Sequence, residues 1–524
     1  MVRNILANTG GTLVSVALGL FLTPFMIHRL GVEAYGVWIL ATTLTFGVGY
    51  FSWADLGIEQ AAVRYIAEAR AAGDDREMNR VWITSFVAFA GIALVLTPPL
   101  ILLSGPLVDL FSVPESLKPE ATTAFAFVLA QFAFELPARG FSALLEGAQR
   151  YGLWQVTRLL QGLLLSGATI AILIAGKGVG SLGMATFGAQ AVTFVVTAVV
   201  ALRGVAGARV SLRLVSRKTM RRLAGYAGQL LAFRFFSSIA RPMDKAIIGI
   251  ALSTAVVTTY EVANKLYMAA ALVETLATSA LVPTAAYNRD QPERLREMLL
   301  RGSNYTLAFA LPFMTAGFIF AEPLIRTWIG AGQTDAATPA RLLLLSLVPS
   351  FAIVVGQTML VGLGRIRAMI WMVAGWTAVN LVISILLVGP MGINGPVVAT
   401  LVSTVLLFFP VVWLFLREIG VTAEEWTKDV ILPVLPGLAL QVGVGLLLLP
   451  IAEDTGSLLL VAFLCAVSVL TALAGWVLIG LSKRRRGELV QMIRETAGIG
   501  TSEPLPEVDL AGDLPTAIDV PLQD

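Results

Sequence analysis

Apolar runs of about 20 residues recur along the chain, separated by short polar connections, and that length is what an α-helix needs to cross a bilayer. Fourteen such runs centre near residues 17, 46, 92, 132, 164, 192, 236, 270, 311, 350, 379, 404, 440 and 469. The connections carry Gly, Pro and charge, the chemistry of turns. The pattern predicts an all-α polytopic membrane protein with 14 transmembrane helices. The run from Ile5 is too long for a cleavable signal and no small-residue cleavage site follows it, so it reads as the first span. Composition agrees, with 57% hydrophobic residues, 14% charged and a mean hydropathy of +0.81.

Lys and Arg set the expected orientation, because cytoplasmic segments retain positive charge. With the N-terminus in the cytoplasm, 28 of the 37 Lys and Arg residues fall on the inner side and 5 on the outer side. An even number of spans returns the C-terminus, with its cluster Lys483, Arg484, Arg485 and Arg486, to the cytoplasm. Both termini are therefore expected inside, in a multi-pass protein of the inner membrane. From Gly487 the chain carries eight acids and four prolines and cannot bury a core, which predicts a disordered tail.

An internal repeat is visible. Gly10, Pro24 and Gly31 recur, all three at one constant offset, as Gly228, Pro242 and Gly249. Gly147 and Arg150 recur at a slightly smaller shared offset as Gly362 and Arg365, and the turn at Gly180–Thr186 echoes Gly392–Thr400. Two parallel six-helix units follow, at residues 1–222 and 223–428, with an added helix pair at 429–482 and the tail at 483–524. Parallel repeats of this kind are related by an axis along the membrane normal, an architecture of alternating-access transporters. Pro24 and Pro242 interrupt equivalent helices, where bends suit a rocking motion.

Four cations remain, and they lie within apolar runs. Arg234, Arg241 and Lys245 share one helical stripe with Ser238, and Lys265 stands in the next span beside Glu261 and Asn264. A charge in hydrocarbon costs several kcal/mol, so these residues face protein or a water-filled cavity. Asp244 and Glu261 can neutralise two of the cations as helix glue. The surplus of positive charge favours a cavity for an anion, most of all at Arg234, which has no acid within a helical turn. Arg158, with Gln161 at the start of the fifth span, is a further cavity cation or a membrane-surface anchor. Glu135 and Arg139, four apart around Pro137, are spaced for an ion pair. Asp55 is expected to end a helix and pair with Arg64. Glu274, deep in the eighth span, is a coupling group or a buried partner for a cation.

Enzymatic chemistry finds no footing. There is no phosphate loop, no H-E-x-x-H and no nucleophile elbow. The single His28 and single Cys465 make a metal centre or a disulfide untenable as a design. No cofactor is expected, and no nucleic-acid partner.

The segment DKAIIGIALSTAVVTTYEVANKL, Asp244 to Leu266, resembles the pattern D-[KR]-x-x-I-G … Y-x-x-A-x-K-L of bacterial polysaccharide flippases. The opening RNILANTGG, LTPFMIHRLGVEAYGVW, DLGIEQAAVRYIAEA at Asp55–Ala69 and LLEGAQRYG are also similar to that family, across spans 1 to 12. The family belongs to the multidrug, oligosaccharidyl-lipid and polysaccharide exporter superfamily. The resemblance implies two six-helix lobes in a V shape. It implies translocation of an undecaprenyl-pyrophosphate-linked oligosaccharide by a monomer that works beside membrane lipids and polysaccharide polymerase machinery. It also implies that Asp244 and Lys245 belong to a general family signature. A pyrophosphate suits several arginines, whose forked guanidinium binds phosphate oxygens two at a time. A peptidoglycan lipid-precursor flippase and a cation-coupled multidrug exporter share the architecture. A membrane glycosyltransferase or polymerase would need a large outer loop, and the longest, near Ser104–Glu120, is short.

Overall fold

The computed structural model describes residues 18–45, 49–225, 243–278 and 281–496. These form helices joined by tight turns, with no strand among the described residues. In the first half of the chain the helices are α1 (Leu18–Leu30), α2 (Val32–Thr43), α3 (Ile58–Ala71), α4 (Asp75–Leu102), α5 (Ser104–Leu110), α6 (Lys118–Ala130), α7 (Phe132–Gly147), α8 (Tyr151–Ile174) and α9 (Val179–Gly204). The second half holds α10 (Met243–Ala251), α11 (Thr254–Thr278), α12 (Leu281–Tyr287), α13 (Pro292–Ile319), α14 (Ala321–Trp328), α15 (Ala337–Gly362), α16 (Ile366–Met391) and α17 (Asn394–Ile419). Then come α18 (Leu435–Asp454), α19 (Leu458–Gly475) and α20 (Lys483–Thr496).

Among the described residues nine helical segments are long and apolar enough to cross a membrane, or ten if α13 and α14, bent by 70°, make one span. They account for ten of the fourteen expected runs. The first and seventh lie largely outside the described residues. The second is broken into α2, a 3₁₀ turn at Tyr50–Asp55 and α3, around Gly49 and Gly57. The eighth, α11 and α12, carries Glu261, Lys265 and Glu274 within its apolar run.

The helices recur in register. Tyr151 and Ile366 open α8 and α16, Val179 and Asn394 open α9 and α17, and Gly204 and Ile419 close them. Each pair is separated by the same interval as Arg150 and Arg365. The turns that precede α8 and α16 are the same turn. Gln149 and Gly364 both adopt positive φ, 58° and 83°, and the N–H groups of Arg150 and Arg365 donate to the Leu145 and Leu360 carbonyls at 2.8 and 2.9 Å. This is a left-handed helix end that satisfies otherwise orphaned carbonyls. The offset that pairs Gly31 with Gly249 fails in the structure. Gly31 is a helix junction at φ 84°, whereas Gly249 lies inside α10, and Leu252–Ser253 make the corresponding junction.

One apolar core draws on both halves. Tyr35, Leu40, Phe111 and Phe125 pack in one cluster with Ile248, Val257, Ile325 and Val397. Here the chains touch closely: a Cβ on Gly36 would fall on the Thr254 carbonyl, and Thr258 Oγ1 donates to Val32 O at 2.6 Å. Ser112 N and Oγ donate to Gly249 O and Ile250 O at 2.8 and 3.1 Å, and Trp328 Nε1 donates to Leu20 O at 2.8 Å. At the opposite, Arg-rich end the cores separate. Ile66, Trp82 and Leu144 pack within the first half, and Leu299, Phe351 and Phe415 within the second.

The added pair α18–α19 packs on α13. Gln441 Nε2 donates to Pro312 O at 2.7 Å, and Gly437 lets the backbone of Ala472 approach. The expected disorder from Lys483 does not hold for 483–496, which form α20. Glu488 pairs with Arg301 at 3.2 Å, Arg485 pairs with Asp429 at 2.6 Å, and Leu489 packs on the second-half core. A few docked side chains outweigh the average polarity of the stretch. Residues 497–524 lie outside those described.

Candidate functional site

A cavity of about 630 Å³ opens among α3, α7, α8 and α9, toward the Arg-rich end. At 1.5 Å per residue, Arg158 lies roughly 10 Å along α8 from that end, and Arg139 about 12 Å back along α7. Three arginines, Arg64, Arg139 and Arg158, and three acids, Glu59, Glu135 and Glu146, line it. Its charge is therefore mixed.

Glu59 is buried on α3, and its Oε2 lies 2.7 Å from Arg139 Nη1 on α7. Burying a carboxylate among helices demands such a partner. Glu135, one turn before Arg139, also faces the cavity, so the expected Glu135–Arg139 proximity is part of a larger acidic surround that includes Glu59. The Arg158 guanidinium sits 4.9 Å over the Trp154 ring, a cation–π contact between residues one turn apart on α8. Gln161, Gln190, Thr193 and Thr197 form the neutral wall between α8 and α9, with Gln161 Nε2 donating to Gln190 Oε1 at 3.0 Å.

Asp55 ends its 3₁₀ turn as expected, accepting from Gly57 N at 2.9 Å. The guanidinium of Arg64, expected near Asp55, meets Glu68 at 2.9 Å, one turn along the same helix. Sequence reasoning did not single out Glu59, Glu146, Trp154 or Gln190. Trp154 had a usable signal, its spacing from Arg158; Glu59 meets a residue on a helix far along the chain and had none.

The second polar cluster lies on α10 and α11. Lys245 Nζ is 2.7 Å from Glu261 Oε2 and Lys265 Nζ 3.0 Å from Oε1, and Asn264 Nδ2 donates to Oε2 at 3.2 Å. Both lysines are thus committed to one buried carboxylate. Asp244 Oδ2 accepts from Tyr260 OH at 2.9 Å and from Thr400 Oγ1 at 3.1 Å, and Asn380 Nδ2 donates to Thr400 Oγ1 at 3.0 Å. The geometry of these described residues is that of helix glue. Any cationic surplus rests on Arg234 and Arg241, which lie outside the described residues. Glu274 belongs to α11, and its side chain also lies outside them.

A family model described as "Polysaccharide biosynthesis protein" matches residues 28–338. A Shigella flexneri protein assigned as an O-antigen transporter is 20% identical over 333 residues, which is 63% of this chain and 77% of that one. The uncharacterized membrane protein EpsK of Bacillus subtilis is 28% identical over 141 residues. That match covers 27% of each, so the chain spans about a quarter of that relative's length. Among solved structures, the lipid II flippase MurJ in an inward closed conformation superimposes with a TM-score of 0.69 at 12% identity, over 88% of this chain and 97% of that one. An inward-facing multidrug resistance MATE family transporter of the MOP superfamily gives 0.66 at 17% identity, over 79% and 96%. The fold is therefore that of this group of multi-pass membrane proteins.

Proposed function

The chain belongs to the family of polysaccharide biosynthesis proteins, and from that premise we propose that it is a flippase carrying an undecaprenyl-pyrophosphate-linked oligosaccharide across the inner membrane. In this reading the two halves are six-helix lobes, in a fold of 14 spans with both termini in the cytoplasm. The lobes rock about the core they share, and the lipid-linked head enters between them from the Arg-rich, cytoplasmic side. The observation that carries the reading is the arginine-bearing cavity among α3, α7, α8 and α9 of the first half, toward the Arg-rich end where the cores of the two halves are separate. Arg158 and Arg139 would meet the pyrophosphate there. Arg234 and Arg241 would supply further cations along the crossing, with Lys245 and Lys265 holding the seventh and eighth spans together through Glu261.

Surface-polysaccharide export in a deletion strain, measured beside membrane abundance, tests this. Arg158→Ala and Arg234→Ala should each lose export at normal abundance, and Arg158→Lys should recover part, since charge stays and the fork is lost. Full export with both alanine variants would overturn the reading. A reporter active only outside the cytoplasm should be active after Lys177 and silent after Arg213; activity at Arg213 would reverse the orientation.

A further inference from the structure

The neutral wall of the cavity has a chemistry that the fold does not require. In the second half α16 and α17 repeat α8 and α9 in the same register. Gln161, Gln190, Thr193 and Thr197 correspond there to Trp376, Val405, Phe408 and Val412. Trp154 and Arg158 correspond to Met369 and Val373. Five of these six second-half positions are apolar, and the sixth, Trp376, donates its Nε1 to Thr404 Oγ1 at 3.2 Å, so holding such a helix pair together does not demand an amide pair and two threonine hydroxyls at these positions.

The Gln161–Gln190 bond uses one donor and one acceptor, which leaves the Gln161 carbonyl oxygen and the Gln190 NH₂ group for another partner. Thr193 and Thr157 donate to the carbonyls of Ala189 and Trp154 and keep oxygen lone pairs for accepting. The wall therefore offers donors and acceptors with no charge, which complements the hydroxyls of a sugar. Gln161 lies about one turn deeper along α8 than Arg158, roughly 15 Å from the helix start. A group joined to a phosphate held at Arg158 reaches it.

We propose that Gln161, Gln190 and Thr193 form a subsite for an uncharged sugar residue, distinct from the arginines that hold the phosphate; this rests on the flippase reading above. The subsite supplies selectivity between glycans, because a sugar that fails to pair leaves the wall's polar groups unsatisfied. The arginines supply affinity common to all pyrophosphate-linked lipids.

The test uses the full chain in lipid nanodiscs and four probes by calorimetric titration: farnesyl pyrophosphate, and the same lipid carrying glucose, galactose or N-acetylglucosamine. At least one glycosylated probe should bind about tenfold or more tighter than the bare one. Gln161→Leu with Gln190→Leu, which removes both amides, should bring that ratio near one. Gln190→Asn, a smaller change in case the double variant does not fold, should reduce the ratio. Arg158→Ala should weaken all four probes alike and keep the ratio. A ratio unchanged in the Gln variants overturns the proposal, as does a wild type that binds no glycosylated probe tighter than the bare lipid. Absence of any binding, with Arg158→Ala indistinguishable from wild type, overturns the flippase reading itself.

Discussion

Glu261 and Glu59 are both buried carboxylates among apolar helices, and they are neutralised differently. Glu261, 3% exposed, accepts two lysine ammonium groups and the Asn264 amide. Its triad closes on itself. Glu59, 6% exposed, meets the single guanidinium of Arg139, which stands on the wall of a cavity that also holds Arg158. The difference is one of surroundings: one cluster is enclosed by packed helices and the other borders a cavity. Glu261 is saturated by its own neighbours on α10 and α11, whereas the Glu59–Arg139 pair borders open volume, where the proposed function would bring an anion.

The sharpest way to break this contrast is Glu261→Ala. It leaves Lys245 and Lys265 facing each other without a counter-charge, at a cost of about 3–5 kcal/mol. Membrane abundance should collapse. Normal abundance with lost export would move the triad from the structural to the transporting side. Next in size is Arg158→Ala, which in the proposed function removes a charged hydrogen bond of about 1.5–3 kcal/mol to the anion, or roughly 10- to 160-fold in transport at fixed substrate. Abundance should hold, and a fall in folded protein to match the fall in export would place Arg158 with the glue. Splitting the triad should give a smaller effect. Lys245→Met should cost about 1–3 kcal/mol. Lys265→Met should cost less, because its side chain is 30% exposed against 19% for Lys245. Melting temperatures in detergent that reverse this order would contradict the assignment of burial as the cause. The smallest expected effect is the control, Lys428→Ala, at a pair with Glu424 that is 65% and 75% exposed. It should move stability by about 0.5 kcal/mol or less.

Local spacing made part of the site legible. Lys265 stands four residues after Glu261 and Trp154 four before Arg158, so one helical turn brings each pair together. The Lys245–Glu261 bond joins residues on successive helices across the short turn at Leu252–Ser253, and an acid within that reach could be anticipated. Glu59 was hidden because its partner lies on α7, across α4, and no periodicity encodes which helices become neighbours. Gln190 was hidden for the same reason: a glutamine on α9 has no visible role until α8 stands beside it.

The sequence by itself determined the membrane class, the positions of most spans and the register that sets Arg150 against Arg365, though not that of Gly31 and Gly249, because each depends on periodicity and transfer energy along one stretch of chain. Turns as alike as those at Gln149 and Gly364 follow from local backbone chemistry. Only the tertiary structure decided that the halves share a core around Gly36 and Thr254 and separate at the other end. It alone assembled the cavity from α3, α7, α8 and α9, and docked α20 through Glu488, Arg485 and Leu489. Those outcomes depend on shape fit and charge pairing between segments far apart in the chain, quantities that no single stretch of sequence carries.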